Sequence, residues 1–214
     1  KVQQQATASQ NTALATNALI READALFMMK NYKAAVALYD KIIAANTDDA
    51  DYARLQKAII AGANQNNDEK IKILQQMVAK TPPSAYAGNA RYELGITYME
   101  EDKYQAAIIA FKPLLDGVIG KEYALKARMK TAFAYQQLNK NNEAIETYKY
   151  IVTNYPASEE KQDALVALRS LYIENNQPDA YASLLKENNL QSDINPTLDS
   201  TYYAAAEAQI ASGK

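Results

Sequence analysis

Side chains able to do chemistry are few in this chain, and they are scattered. Ser183-Leu184-Leu185-Lys186 matches the Ser-x-x-Lys spacing in which a lysine activates a serine for acyl transfer. It lies inside a helical stretch and has no Ser-Asp-Asn or Lys-Thr-Gly companion, so it reads as a chance match. The run Asp48, Asp49, Asp51 offers the oxygen ligands a hard cation takes, but it lacks the glycine and closing glutamate of a calcium loop. It reads instead as the capped start of a helix. Glu100-Glu101-Asp102 falls on a turn and reads as solvated surface, and Gly117 and Gly120 are not followed by the Gly-Lys-Ser/Thr of a phosphate cradle. Histidine, cysteine and tryptophan are absent, which removes the imidazole base, the thiol nucleophile, the disulfide and the His/Cys metal site together. No catalytic residue, cofactor or metal is expected, and the chain reads as a non-enzyme.

The elements that carry these residues point to binding. The 214 residues are 48% apolar, enough for a large core. With 23 basic and 25 acidic side chains the net charge is −2, so nucleic acid is not an expected partner. No apolar run reaches the roughly 18 to 20 residues that cross a bilayer, so no direct membrane insertion by this segment is expected. The chain opens on Lys1 and the polar stretch Val2 to Thr16, which reads as a processed or excised N-terminus. Residues 1–15 are expected to be a polar linker or the end of a preceding element.

Six glycines and six prolines, with apolar residues recurring at three- and four-residue steps, predict an all-α chain. An internal repeat organises it. A small residue is followed after three by an aromatic or aliphatic one, after twelve by Ala, and four later by an aromatic or Leu. Gly95, Tyr98, Ala107, Phe111 and Ala132, Tyr135, Ala144, Tyr148 are the clearest copies, and Ala23, Leu26, Ala35, Tyr39 is a third. Ala58, Ala61, Lys70, Leu74 and Leu168, Leu171, Ala180, Leu184 are degenerate copies. The anchors at 35, 70, 107, 144 and 180 are 35, 37, 37 and 36 residues apart, which predicts helix pairs near 16–47, 51–82, 88–117, 123–156 and 160–190. A single helix at 198–211, with Ala206 in the small slot, completes the array as a terminal cap or, preferably, as the start of a further pair cut from a longer array.

Small residues let two antiparallel helices approach, and the large residue one turn away fills the groove beside them. Polar clusters Asn66-Asn67-Asp68, Asn139 to Asn142 and Asn175-Asn176-Gln177-Pro178 supply turns within pairs, while Pro82-Pro83 and Tyr155-Pro156 separate pairs. Pro113 is expected to kink or end its helix. These anchors, with Pro82 and Pro156 each twelve residues past the Ala slot, resemble the tetratricopeptide repeat over residues 16 to 214. The resemblance implies a right-handed α-α superhelix of about five helix pairs plus an unpaired terminal helix. The stretch Tyr155-Pro156-Ala157-Ser158 with Asp163-Ala164 resembles the bacterial cell-envelope subgroup, the Tol-Pal coordinator and the outer-membrane-assembly lipoprotein, which implies a periplasmic location, with the cytoplasm as the alternative.

The resemblance also implies that a partner protein or peptide lies along a concave face lined by first helices. The expected lining is Asn89, Tyr92, Ile96 and Met99 in the third pair, Lys126, Met129, Lys130, Phe133 and Gln137 in the fourth, and Gln162, Arg169, Tyr172 and Ile173 in the fifth. Family members that grip a C-terminal carboxylate begin their clamp with Lys and Asn. Ile20 with Asp24 and Leu55 with Ile59 stand there instead, so an extended peptide or a helix is the expected ligand. Self-association through the last helix, or service as the recruiting arm of a larger protein, are the alternatives.

Overall fold

The computed structural model describes residues 2–190 and 198–211, with side chains over 13–190 and 200–211. Every regular element among them is helical. Two compact units result, Lys1–Lys103 with Asp116–Tyr123, and Tyr104–Leu115 with Ala124–Lys214. The first holds α1 (Val2–Met28), α2 (Tyr32–Ala45), α3 (Ala50–Ala63), α4 (Asn67–Val78), α5 (Ala87–Glu100) and a 3-10 turn at Lys121–Tyr123. The second holds α6 (Tyr104–Phe111), a 3-10 turn at Lys112–Leu114, α7 (Ala124–Gln137), α8 (Asn141–Asn154), α9 (Glu160–Glu174), α10 (Pro178–Glu187) and α11 (Leu198–Ala211). Within each unit helices pack on their neighbours in sequence, α1 on α2 through to α4 on α5, and α6 on α7 through to α9 on α10, with α11 against α9 and α10. The chain is an all-α solenoid.

The turn inside every pair is built the same way. Lys30, Gln65, Asp102, Asn139 and Asn176 all take left-handed backbone angles, with φ between 54 and 61°, and they are spaced 35, 37, 37 and 37 residues apart. The residue after each donates its N–H back to the helix carbonyl five positions earlier: Asn31 to Leu26, Asn66 to Ala61, Lys103 to Tyr98, Lys140 to Tyr135 and Gln177 to Tyr172, at 2.7 to 2.9 Å. This six-residue closure satisfies carbonyls that the helix end leaves open and reverses the chain within three residues. Asn suits the left-handed position at 139 and 176, whereas Lys30 and Gln65, both exposed, adopt it within the same backbone hydrogen bonds that close the turn.

The small-residue slots are closed to solvent, since Ala23, Ala35, Ala58, Ala107, Ala132 and Ala144 all have zero exposure. Tyr39 and Phe111 fill their grooves at zero exposure and Tyr148 at 3%. Burial raises the Tyr148 hydroxyl to about 12. Two anchors shift by one residue. In α10 Ala180 is exposed and Tyr181, 1% exposed, takes the slot, which restores the 37-residue step from Ala144. Tyr181 stands against Tyr172 with ring centroids 6.0 Å apart, a bulk that alanine would not supply. In α11 Ala205 is the buried residue and Ala206 is exposed.

Lys70 occupies an alanine slot by a different device. Its side chain, 9% exposed, runs beneath Gly62, and its ammonium meets Glu93 of α5 at 2.9 Å. A Cβ at Gly62 would lie 2.9 Å from Lys70 Cδ, so a larger residue there would have to push the stem aside. Pro113 ends α6 at Phe111, and the chain continues as the 3-10 turn Lys112–Leu114, as a missing N–H requires. Residues 2–15, expected outside the repeats, are helical and continuous with α1.

Two arginines one repeat step apart close helix ends. Arg91 in α5 donates to the Val78 carbonyl at the end of α4 at 3.3 Å, and Arg128 in α7 donates to the Leu115 carbonyl at 2.5 Å. Arg128 also lies over the Tyr150 ring, 3.8 Å from its centroid. A cation placed on the open carbonyls of a helix C-terminus is favoured by both hydrogen bonding and the helix dipole. Arg54, a further 37 residues back, is diverted to Asp51 at 2.7 Å.

Candidate binding surface

The residues singled out for chemistry form no reactive cluster. Ser183 and Lys186 are exposed on α10, on either side of buried Leu184 and Leu185. Among the described residues no three acidic side chains converge as metal ligands. Asp49 stands at the N-cap of α3 without a side-chain cap bond. Asp51, in the first turn, is 8% exposed and accepts from Lys80 at 2.6 Å and Arg54 at 2.7 Å. Burial pushes its carboxyl pKa up, but the two cationic partners outweigh that and hold it below the ordinary carboxylate value. With Asn46, Gln76, Met77 and Ala79 these groups line a cleft of about 460 Å³. Asp24, at the expected clamp start, accepts the hydroxyls of Tyr39 at 2.6 Å and Tyr52 at 2.9 Å. Burial first, and the neighbouring Asp24 second, raise both phenol pKa values.

In the first unit, α5 carries Asn89, Tyr92, Ile96 and Met99, all half-buried. Asn89 and Tyr92 are already engaged: Asn89 Nδ2 donates to the Tyr123 hydroxyl at 2.7 Å, and the Tyr92 and Tyr123 rings stack with centroids 4.8 Å apart. The segment that brings Tyr123 there passes α5 so closely that a Cβ on Gly88 would sit 2.6 Å from Gly120 Cα. Gly117 and Gly120, at φ +70 and +62°, give it the left-handed bends it needs. Tyr86 leans on Tyr52 one repeat earlier, with ring centroids 5.7 Å apart, so this tyrosine contact recurs.

In the second unit the expected residues divide. Lys126, Lys130, Phe133 and Gln137 are exposed along α7, Phe133 at 42%. Steps of four, three and four residues return to nearly the same bearing on a helix, so the four side chains form one stripe. Tyr104 of α6 stands edge-on to Phe133 with ring centroids 6.5 Å apart, so the aromatic pair makes a ledge beside the stripe. Met129 is half-buried and packs against the unit's core, as its position between stripe and core demands. In α9, Gln162 is exposed and Ile173 half-buried, while Arg169 is engaged by α11: its Nε donates to Thr201 Oγ1 at 2.9 Å and its Nη2 to Ser200 Oγ at 3.2 Å. Tyr172 is 7% exposed and belongs to the core. Tyr181 in the alanine slot draws it inward, so a groove role does not fit it.

Sequence reading missed Tyr104, Tyr123 and the arginine contacts. Tyr123 and Tyr86 do share a position 37 residues apart, which is a signal the repeat could have given. The partners of Arg91 and Arg128 are backbone carbonyls, which carry no residue signature.

Residues 126–158, spanning most of α7 and all of α8, match the family model of the tetratricopeptide repeat. Among solved structures, the crystal structure of MamA protein superposes with a TM-score of 0.62 at 18% identity, over 81% of this chain and 89% of that one. MamA AMB-1 gives a TM-score of 0.60 at 17% identity over 85% and 93%. A putative kinesin light chain from Podospora anserina, described by its nearly identical TPR-like repeats, gives 0.57 at 18% identity over 85% and 97%. At these identities the likeness is one of fold. No curated protein matches the sequence.

Proposed function

From a solenoid with tetratricopeptide-type repeats, we propose that the chain is a protein-interaction scaffold that holds an extended peptide or a helix of a partner along its first helices. One observation carries the reading. The stripe Lys126, Lys130, Phe133, Gln137 stays open to solvent on a helix whose other positions are buried or half-buried, with Ala127, Ala132 and Ala134 at zero exposure and Thr131 at 1%. It lies inside the matched repeat, and a large aromatic exposed at its centre is the kind of side chain enriched in protein interfaces. The α5 face, covered by Tyr123, is the less accessible part.

The test is a photo-reactive residue at position 133, with partners crosslinked in fractionated bacterial lysate and identified by mass spectrometry. Phe133→Glu in the intact chain serves as competitor control, and the cell-envelope fraction, to which the Tyr155-Pro156 resemblance points, is the first to search. A partner crosslinked at 133 and not displaced by the variant supports the reading. Displacement of the crosslinked partner by the Phe133→Glu chain as effectively as by the parent chain would sink it, provided the helical circular dichroism of the variant is intact. A second reading is self-association through α11, where Tyr203 and Ile210 are 67% and 78% exposed. Sedimentation of the chain with and without residues 200–214 decides it: concentration-dependent assembly that the deletion abolishes supports it, and a strict monomer rejects it.

A further inference from the structure

The stripe on α7 carries a charge signature as well as a shape. α7 contains Lys126, Arg128 and Lys130 and no Asp or Glu. Arg128 is spent on the Leu115 carbonyl and the Tyr150 ring. Lys126 and Lys130 are exposed, and among the described residues neither makes an ion pair, whereas Lys57, Lys80, Lys103 and Lys149 reach carboxylates at 2.5 to 3.0 Å. Two exposed cations on one face of a helix, neither in an ion pair among the described residues, are available to the anionic groups of a partner.

The spacing defines what fits. Lys126 and Lys130 stand about 6 Å apart along the helix axis, and Phe133 about 4.5 Å beyond. Side chains on one face of an extended strand recur about 6.7 Å apart, so alternate residues of an extended partner meet the two ammonium groups in register. The following same-face residue lies about 13 Å along, about 3 Å past the Phe133 position and within reach of the aromatic pair that Phe133 makes with Tyr104. We propose that the partner segment is acidic and extended, with two carboxylate side chains at alternate positions followed by an apolar side chain that seats against Phe133 and Tyr104. This rests on the scaffold reading above and adds the chemistry of its ligand.

The probe is a fluorescein-labelled peptide carrying Glu-Ala-Glu-Ala-Phe between Gly-Ser flanks. Its C-terminus is amidated so that only side-chain carboxylates contribute. Binding to the full chain is read by fluorescence anisotropy at about 50 mM and about 300 mM salt. The expected result is saturable binding that weakens with salt and falls about tenfold when both Glu are replaced by Gln, when Phe is replaced by Ser, or in the chain with Lys126→Glu and Lys130→Glu. Reversal of two other exposed lysines, Lys112→Glu and Lys186→Glu, controls for net charge and is expected to cost less than threefold. Equal affinity for the Glu and Gln probes, equal loss in the control chain, or no binding of the acidic probe would overturn the proposal. If the probe fails while a neutral partner still crosslinks at position 133, the scaffold reading survives and the acidic ligand does not.

Discussion

Removing Glu93 should cost more stability than removing the charge of the lysine it pairs with. The Lys70 side chain is 9% exposed and that of Glu93 34%, with 2.9 Å between Nζ and Oε2. Glu93→Ala strands an ammonium in a nearly closed slot. Breaking a fully buried pair costs about 3 to 5 kcal/mol, and partial solvation at the Glu93 end reduces this to about 2 to 3 kcal/mol. Lys70→Met keeps an unbranched stem beneath Gly62 and leaves a carboxylate that water can reach, so its expected cost is about 0 to 1 kcal/mol. For a chain of this length, Glu93→Ala should lower the melting temperature by about 4 to 12 °C and Lys70→Met by no more than about 4 °C. The double variant should resemble Lys70→Met alone, a coupling of about 2 kcal/mol. Thermal unfolding followed by helical circular dichroism measures all three. If Lys70→Met costs as much as Glu93→Ala, or if the two losses add, the lysine is held by packing and the pair contributes nothing.

Arg128→Ala removes a charged hydrogen bond and a cation–π contact and should cost about 2 kcal/mol in thermal unfolding, with Arg128→Lys recovering less than half, since an ammonium cannot both stack and reach the carbonyl. Gly88→Ala places a Cβ against Gly120 Cα and should lift the segment that carries Tyr123, seen as faster tryptic cleavage after Lys121 while α5 keeps its helicity; unchanged cleavage would contradict the close approach. Asp51 has a folded pKa below its ordinary 3.8, so its contribution is complete above that value and is lost as pH falls through the folded pKa. Acid unfolding of Asp51→Asn should therefore lack part of the stability gain that the parent shows on raising the pH through that interval, and parallel curves would refute the assignment.

Helices, pairing and most core positions were legible because one physical demand repeats. Wherever two helices approach, a small side chain is needed, and Ala35, Ala107 and Ala144 announce it at fixed spacing. Sequence became ambiguous where another solution serves the same demand. Lys70 reads as a broken slot because its compensation lies in Gly62, eight residues earlier, and in Glu93 of a later helix. Ala180 reads as an anchor by composition, whereas the register set by the left-handed residues at 139 and 176 selects Tyr181. On α7, Lys126, Lys130, Phe133 and Gln137 of the residues the repeat resemblance implied are exposed, whereas Met129 turns to the core. The same resemblance placed Tyr172 and Arg169 in a groove, since helical spacing gives a bearing but not what the next element does with it. Tyr181 takes Tyr172 into the core, and α11 takes Arg169.

The two arginines that close helix ends give the array a direction. Each reaches backward: the pair that supplies the guanidinium comes later in the chain than the carbonyl that receives it, as Arg91 does for Val78 and Arg128 for Leu115. At these two junctions a helix is finished by its successor, so neighbouring pairs are tied by a charged hydrogen bond as well as by their packing. Truncation at either junction is expected to cost both, and the stranded carbonyl or guanidinium is then left to water.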